Sequence, residues 1–245
     1  MNGALLEVED VTVSFDGFRA VDNLSLSVAR NELRVVIGPN GAGKTTLLDM
    51  ICGKTRPSHG RIRFGGHDLT SKAEHEITRL GVGRKFQTPS TYEDLTVLEN
   101  LEISYPQHRG VIGSFFFQRT AEVQRRIEEV AAEVHLEHEL HTNAGRLSHG
   151  EKQWLEIGML LMQDPQLLLL DEPVAGMSPH ERQQTALLLS AIARGRAMVV
   201  IEHDMHFVEA IAHKVTVLHQ GKLLCEGSMQ EIQGDQRVID VYLGD

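Results

Sequence analysis

The stretch Gly38-Pro39-Asn40-Gly41-Ala42-Gly43-Lys44-Thr45 constrains this chain more than any other, because its spacing fits G-x-x-x-x-G-K-[ST]. Glycines let the backbone curl with its N–H groups turned into one concavity, and no Cβ stands in the way of a phosphate. Lys44 is placed to reach terminal phosphates as a mobile positive charge, and the Thr45 hydroxyl to ligate the Mg²⁺ that accompanies them. A helix starting here, with Thr46 in its first turn, aims its positive end at the same anion. The flanks agree. Leu33–Ile37 is a short apolar run suited to a buried parallel strand, Lys44–Cys52 carries helical periodicity, and Gly53 is placed to end the helix. The pattern predicts a nucleotide-binding loop between a strand and a helix.

Composition narrows the rest. The 245 residues are 41% hydrophobic, enough for one large domain with a subdomain. A net charge of −10, from 24 basic and 34 acidic residues, argues against nucleic acid as the main partner. Cys52 and Cys225 form no C-x-x-C pair and are expected to be buried free thiols in a reducing cytoplasm. Residues 1–10 alternate as a strand rather than opening a signal peptide, and no apolar run reaches the ~18 residues of a membrane span. His135, His138 and His141 lie close together but fit no recognised zinc spacing, and a solvated helix end is expected there.

Residues 4–15 and 21–30 alternate around Asp16-Gly17, predicting antiparallel strands. Phe15, at the end of the first, is either a nucleobase-stacking aromatic or an ordinary core residue. Gly81–Phe86 predicts another strand with Gln87 at its carboxyl end, where Gln can hold Mg²⁺ or the attacking water, or be a plain loop residue. Residues 94–103 and 119–141 carry helical periodicity, the latter through Val123, Ile127, Val130, Ala131 and Val134. Phe115-Phe116-Phe117 either pack inside a helical subdomain or dock a partner. Ser148 and Glu151 form a capping box for a helix expected to bury Trp154, Ile157, Leu160 and Leu161. A Ser hydroxyl, the Gly150 N–H and that helix N-terminus also suit a second phosphate contact.

Leu167–Leu170 is a second constraint: a fully buried strand that delivers Asp171 and Glu172 at its end. Adjacent carboxylates there are costly without a cation or a catalytic role. Asp171 is expected to hold Mg²⁺, and Glu172 to orient or deprotonate the attacking water. Ser178-Pro179-His180-Glu181 opens the next helix. Ala197–Ile201 predicts a further buried strand ending in Glu202-His203-Asp204, where His203 can donate to a γ-phosphate and Asp204 can cap a helix. A hairpin around Gln220-Gly221 and an amphipathic tail follow.

Together these stretches resemble the ATP-binding subunits of ABC transporters over essentially the whole chain. Gly38–Thr45 resembles their Walker A loop, Gln87 the Q-loop, Leu147–Glu151 the signature, Leu167–Glu172 Walker B and His203 the H-loop, with Phe15 where an adenine-stacking aromatic lies. The resemblance implies a fold class: an α/β P-loop NTPase with a RecA-like parallel sheet core, an N-terminal antiparallel β region and a helical subdomain. The core is expected over about 1–88 and 165–245, and the helical subdomain over 89–164. It also implies ATP and Mg²⁺ as cofactors and a head-to-tail pair of ATP-binding subunits, identical or different. In that pair, Ser148 and Gly150 of one chain close over ATP on the other. Transmembrane permease subunits and, indirectly, a substrate-binding protein are implied partners, with the chain peripheral on the cytoplasmic face of the membrane and no nucleic acid involved. Arg84–Gln87, Leu147–Gly150, Trp154–Gly158, Pro173–Met177 and Arg237–Gly244 are similar to the branched-chain amino acid type of importer, most of all to urea-transport ATPases. Urea import is therefore the first expectation and branched-chain amino acid import the second. A soluble ABC ATPase acting on nucleic acid or ribosomes ranks lower, for lack of coiled-coil insertions. Three positions depart from the superfamily pattern: His149 and Glu151 in the signature, and Ser178 where the D-loop ends in Asp.

Overall fold

The computed structural model describes residues 3–85, 91–106 and 120–243. Leu6–Phe15 (β1) and Phe18–Val28 (β2) each turn apolar side chains inward and pair antiparallel across Asp16-Gly17. Leu33–Ile37 (β3) is buried throughout and feeds Lys44–Ile51 (α1). His59–Phe64 (β4) and His67–Asp68 (β5) join the first two strands in an antiparallel sheet of order β2-β1-β4-β5. Glu74–Arg79 (α2) precedes Val82–Arg84 (β6), and then come Val97–Ser104 (α3), Ala121–Glu133 (α4) and His149–Leu161 (α5). Leu167–Asp171 (β7), Pro179–Ile192 (α6), Ala197–Ile201 (β8) and Met205–Ile211 (α7) follow. The described chain closes with Lys214–His219 (β9), Lys222–Gly227 (β10), Met229–Gly234 (α8) and Gln236–Leu243 (α9).

The second sheet has the order β10-β9-β3-β8-β7-β6, parallel except for the β9–β10 hairpin. Parallel register brings the carboxyl ends of β3, β8 and β7 to one edge, so the residues after Ile37, Ile201 and Asp171 converge. The leucines of β7 are fully buried, and each contributes about 1.5–3 kcal/mol by leaving water. Arg34 is the exception in β3: it is buried but balanced by Glu32 at 2.7 Å, Glu226 at 2.8 Å and the Thr216 hydroxyl at 3.2 Å.

The chain divides into two compact units. The first comprises Met1–Arg84, Gln166–Pro173 and Leu189–Asp245, and holds both sheets around a core that includes Val36, Leu47, Leu169 and Ile201. The second comprises Lys85–Pro165 and Val174–Leu188, with Leu101, Ile127, Val130 and Leu155 buried. Segment 174–188, expected with the sheet, groups with the helices because the Trp154 indole N–H donates to the Thr185 hydroxyl at 2.8 Å and Gly150 N–H donates to Glu181. A Cβ on Gly158 would meet Leu101 at 3.1 Å and Val134 at 3.2 Å, so the lack of a side chain there lets α5 pack closely on its neighbours.

Two local expectations need correction. The helix expected over 119–141 stops at Glu133, because His135 turns into the left-handed region (φ 60°) and the N–H groups of His135 and Leu136 bond back to Ala132 and Ala131. In α5, Leu155 and not Trp154 or Leu160 is fully buried; Trp154 is half-buried, its indole committed to Thr185 and its ring edge-on to His135 at 6.0 Å. Cys52 and Cys225 are free thiols, the second only half-buried. Gln87 and Phe115–Phe117 lie outside the described residues.

Candidate functional site

The Gly38–Thr45 loop joins β3 to α1 where the parallel strands end. Two of its glycines are dictated by geometry. Gly38 has φ +151° and its missing Cβ would lie 2.2 Å from the Leu218 carbonyl oxygen; Gly43 has φ +97°, with the Ala20 carbonyl oxygen 2.5 Å from the same place. Side-chain caps are absent from the start of α1, so its first N–H groups are free for an anion. Lys44 curls back over the loop, donating to the carbonyls of Gly38 at 2.7 Å and Pro39 at 3.0 Å. Burial pulls the Lys44 ammonium pKa down against the opposing pull of Glu172 and Asp171.

Asp171, the last residue of β7, is buried and accepts a hydrogen bond from the Thr45 hydroxyl at 3.1 Å. Burial pushes its carboxyl above the ordinary value; the Thr45 bond and the Arg84 charge oppose that. A carboxylate and a hydroxyl so placed are hard oxygen donors suited to Mg²⁺. Among the described residues no group of three His, Cys, Asp or Glu side chains could hold a metal.

Glu172 follows with its backbone in the left-handed region (φ 48°) and its N–H bonded to Ile201 at 3.0 Å, which turns its side chain out of the sheet edge. The His203 Nδ1 stands 3.5 Å from the Glu172 carboxylate, and His203 is exposed. Lys44, Thr45, Asp171, Glu172 and His203, scattered over 160 positions of sequence, thus meet at one edge of the first unit. Phe15 is 48% exposed at the tip of the β1–β2 hairpin, while Ala20 and Val21 of β2 press on Gly43.

In the second unit the Ser148–Glu151 capping box forms as expected, with the Ser148 N–H donating to Glu151 at 2.7 Å and the Glu151 N–H to the Ser148 hydroxyl at 3.2 Å. The His149 ring lies 2.9 Å from the Ala175 carbonyl. Sequence reasoning saw Glu181 only as a cap for α6. Its carboxylate also accepts from the Ser148 hydroxyl and the Gly150 N–H, both at 3.3 Å. It missed two further contacts. Arg84 pairs with Asp49 of α1 beside the Asp171 carboxylate. Tyr242 of α9 shares a hydrogen bond with the Gly38 backbone, and burial pushes its hydroxyl up to about 12. Only pairing across long sequence separations reveals either contact.

Comparison with known proteins matches this arrangement. The family model described as ABC transporter covers residues 21–175, and one described as branched-chain amino acid ATP-binding cassette transporter covers residues 222–245. The chain is 34% identical to the high-affinity branched-chain amino acid transport ATP-binding protein BraF of Pseudomonas aeruginosa, over 100% of both chains. It is 32% identical to the probable branched-chain amino acid transport ATP-binding protein LivG of Archaeoglobus fulgidus, over 98% of this chain and 95% of that protein. A solved ATP-binding cassette of an ABC transporter, in its ADP conformation, superposes with a TM-score of 0.87 at 30% identity, over 99% of this chain and 100% of that one. Phosphate loop, buried carboxylates and whole-chain likeness agree, and the chain belongs to the ATP-binding subunits of ABC transporters, which use ATP with Mg²⁺ and hydrolyse it.

Proposed function

We propose that this ATPase energises a branched-chain amino acid importer, peripheral on the cytoplasmic face of the membrane and bound to transmembrane permease subunits that receive cargo from a substrate-binding protein. The observation that carries the substrate is the pair of likenesses, along the whole chain and again over residues 222–245, to proteins named for branched-chain amino acids. They support the second of the two substrate expectations rather than urea. Among the described residues no helix is long and apolar enough to cross a membrane, so passage of cargo falls to partner subunits.

The chemistry follows from the site. The backbone N–H groups of Asn40–Thr46 cradle the phosphates, Pro39 bends the loop, and Lys44 exchanges its bonds to the Gly38 and Pro39 carbonyls for phosphate oxygens. Thr45 and Asp171 would hold Mg²⁺, which would neutralise phosphate charge, and Gln87 would serve the ion or the attacking water. Glu172 orients and deprotonates that water, His203 donates to the γ-phosphate, and Phe15 stacks on the base. Ser148 and Gly150 act in trans, closing over nucleotide held by a second ATP-binding subunit.

Replacing Glu172 with Gln in the native host, then measuring uptake of labelled leucine and urea side by side, tests the reading. Loss of leucine uptake alone is expected. Loss of urea uptake alone would move the chain to the urea branch, and unchanged uptake of both would overturn the transport role.

A further inference from the structure

The signature donors are not vacant in the second unit. The Ser148 hydroxyl and the Gly150 N–H converge on a single oxygen, Oε1 of Glu181, at 3.3 Å each. The other oxygen, Oε2, is held by the Ser178 N–H at 2.9 Å and the Ser178 hydroxyl at 2.7 Å. A hydroxyl has one proton to give and an amide one, so both hydrogens that a phosphate oxygen needs are already committed. The Ser148 oxygen is meanwhile accepting from the Glu151 N–H, which turns its proton away from that amide. A Cβ on Gly150 would lie 2.5 Å from Oε1, so only glycine lets the carboxylate come this close. Bonds to Ser178, then to Gly150 and Ser148, hold the Glu181 carboxyl below its usual range and keep it anionic.

We propose that the Glu181 carboxylate is an internal stand-in for the γ-phosphate: it keeps Ser148 and Gly150 converged on an anion while no nucleotide is presented, and must be displaced when the partner's ATP arrives. This rests on the reading of Ser148 and Gly150 as trans-phosphate donors. The two bonds being displaced are longer than the usual 2.9–3.0 Å and therefore weak, whereas the bonds to Ser178 are short. Glu181 can thus swing off the signature while still capping α6, and its departure is the step that a doubly charged phosphate drives. Ser178, which already holds the other oxygen, is the residue that retains it.

The test uses the intact transporter, purified through a tag on this chain, and follows steady-state hydrolysis against ATP concentration. Glu181→Gln keeps a residue that serves in a capping box and removes the anion. Two displaced hydrogen bonds, each at the weak end of the usual range, correspond to about a tenfold lower KM for ATP, with kcat within about twofold of the parent. Glu181→Asp, whose carboxylate is too short to span Ser178 and Gly150 together, is expected to lower KM in the same direction and covers the case in which the first variant fails to assemble. A purely structural Glu181 would reduce melting temperature or kcat and leave KM alone, and that result would overturn the proposal. Ser148→Ala separates the two layers of argument. If it abolishes hydrolysis while both Glu181 variants keep the parent KM, the trans-phosphate reading stands and the stand-in role falls. If Ser148→Ala leaves hydrolysis intact, both fall.

Discussion

Lys85 and Glu156 form an ion pair inside the second unit, with Nζ 3.0 Å from Oε2 and side chains only 4% and 3% exposed. Lys85 stands two positions before Gln87, and Glu156 lies on α5, the helix that Ser148 caps. Both charges have left water, at several kcal/mol each, and their attraction offsets that loss. Removing either partner takes away that attraction while the other stays buried, which costs about 3–5 kcal/mol. For a chain of this size each kcal/mol moves the melting temperature by about 2–4 °C. Lys85→Met and Glu156→Leu are therefore each expected to lower it by roughly 6–20 °C, taking the two ranges together. The double variant replaces the pair by apolar groups of similar length and is expected to melt near the parent or above it, because no charge remains to desolvate. Differential scanning calorimetry and urea unfolding of the full chain, read as a double-mutant cycle, measure this directly. Single variants that melt within about 2 °C of the parent would refute the desolvation argument, as would a double variant whose loss equals the sum of the singles.

Two further predictions concern the nucleotide site. Gly43→Ala places a Cβ 2.5 Å from the Ala20 carbonyl oxygen at φ +97°; about 1–3 kcal/mol of strain is expected, and nucleotide titration should show ATP affinity down by about tenfold or more while circular dichroism is unchanged. Asp171 carries a raised carboxyl pKa, so its ionised form disfavours the nucleotide-free fold at neutral pH, a cost that shrinks as pH falls through the folded-state value and is gone below the ordinary 3.8. Asp171→Asn should then raise the nucleotide-free melting temperature at pH 7, gain progressively less as pH drops toward 4, and abolish Mg²⁺-dependent hydrolysis; a lower melting temperature at pH 7 would contradict the assignment.

Much of the site is legible in the chain because its constraints are local. The positive φ angles of the loop's own backbone call for glycine at Gly38 and Gly43, and the capping boxes at Ser148 and Ser178 span four residues each. The leucines before Asp171 announce a strand buried on both faces. Helix ends and buried faces are less legible. A Schellman-type ending with His135 in place of glycine carries no composition signal, and whether Trp154 or Leu155 faces the core depends on which neighbours α5 meets.

The sequence by itself determined that this chain binds a nucleoside triphosphate, which residues form the loop and the carboxylate strand, and which ATPase family it resembles. Only the tertiary structure decided that Thr45 meets Asp171, because the order β3-β8-β7 is a non-local pairing that no short window encodes. The same holds for the Glu181 carboxylate on Ser148 and Gly150, and for the Lys85–Glu156 pair. Local spacing dictates backbone conformation, whereas charge pairing and donor commitment depend on what packing brings within about 3 Å across distant stretches of chain.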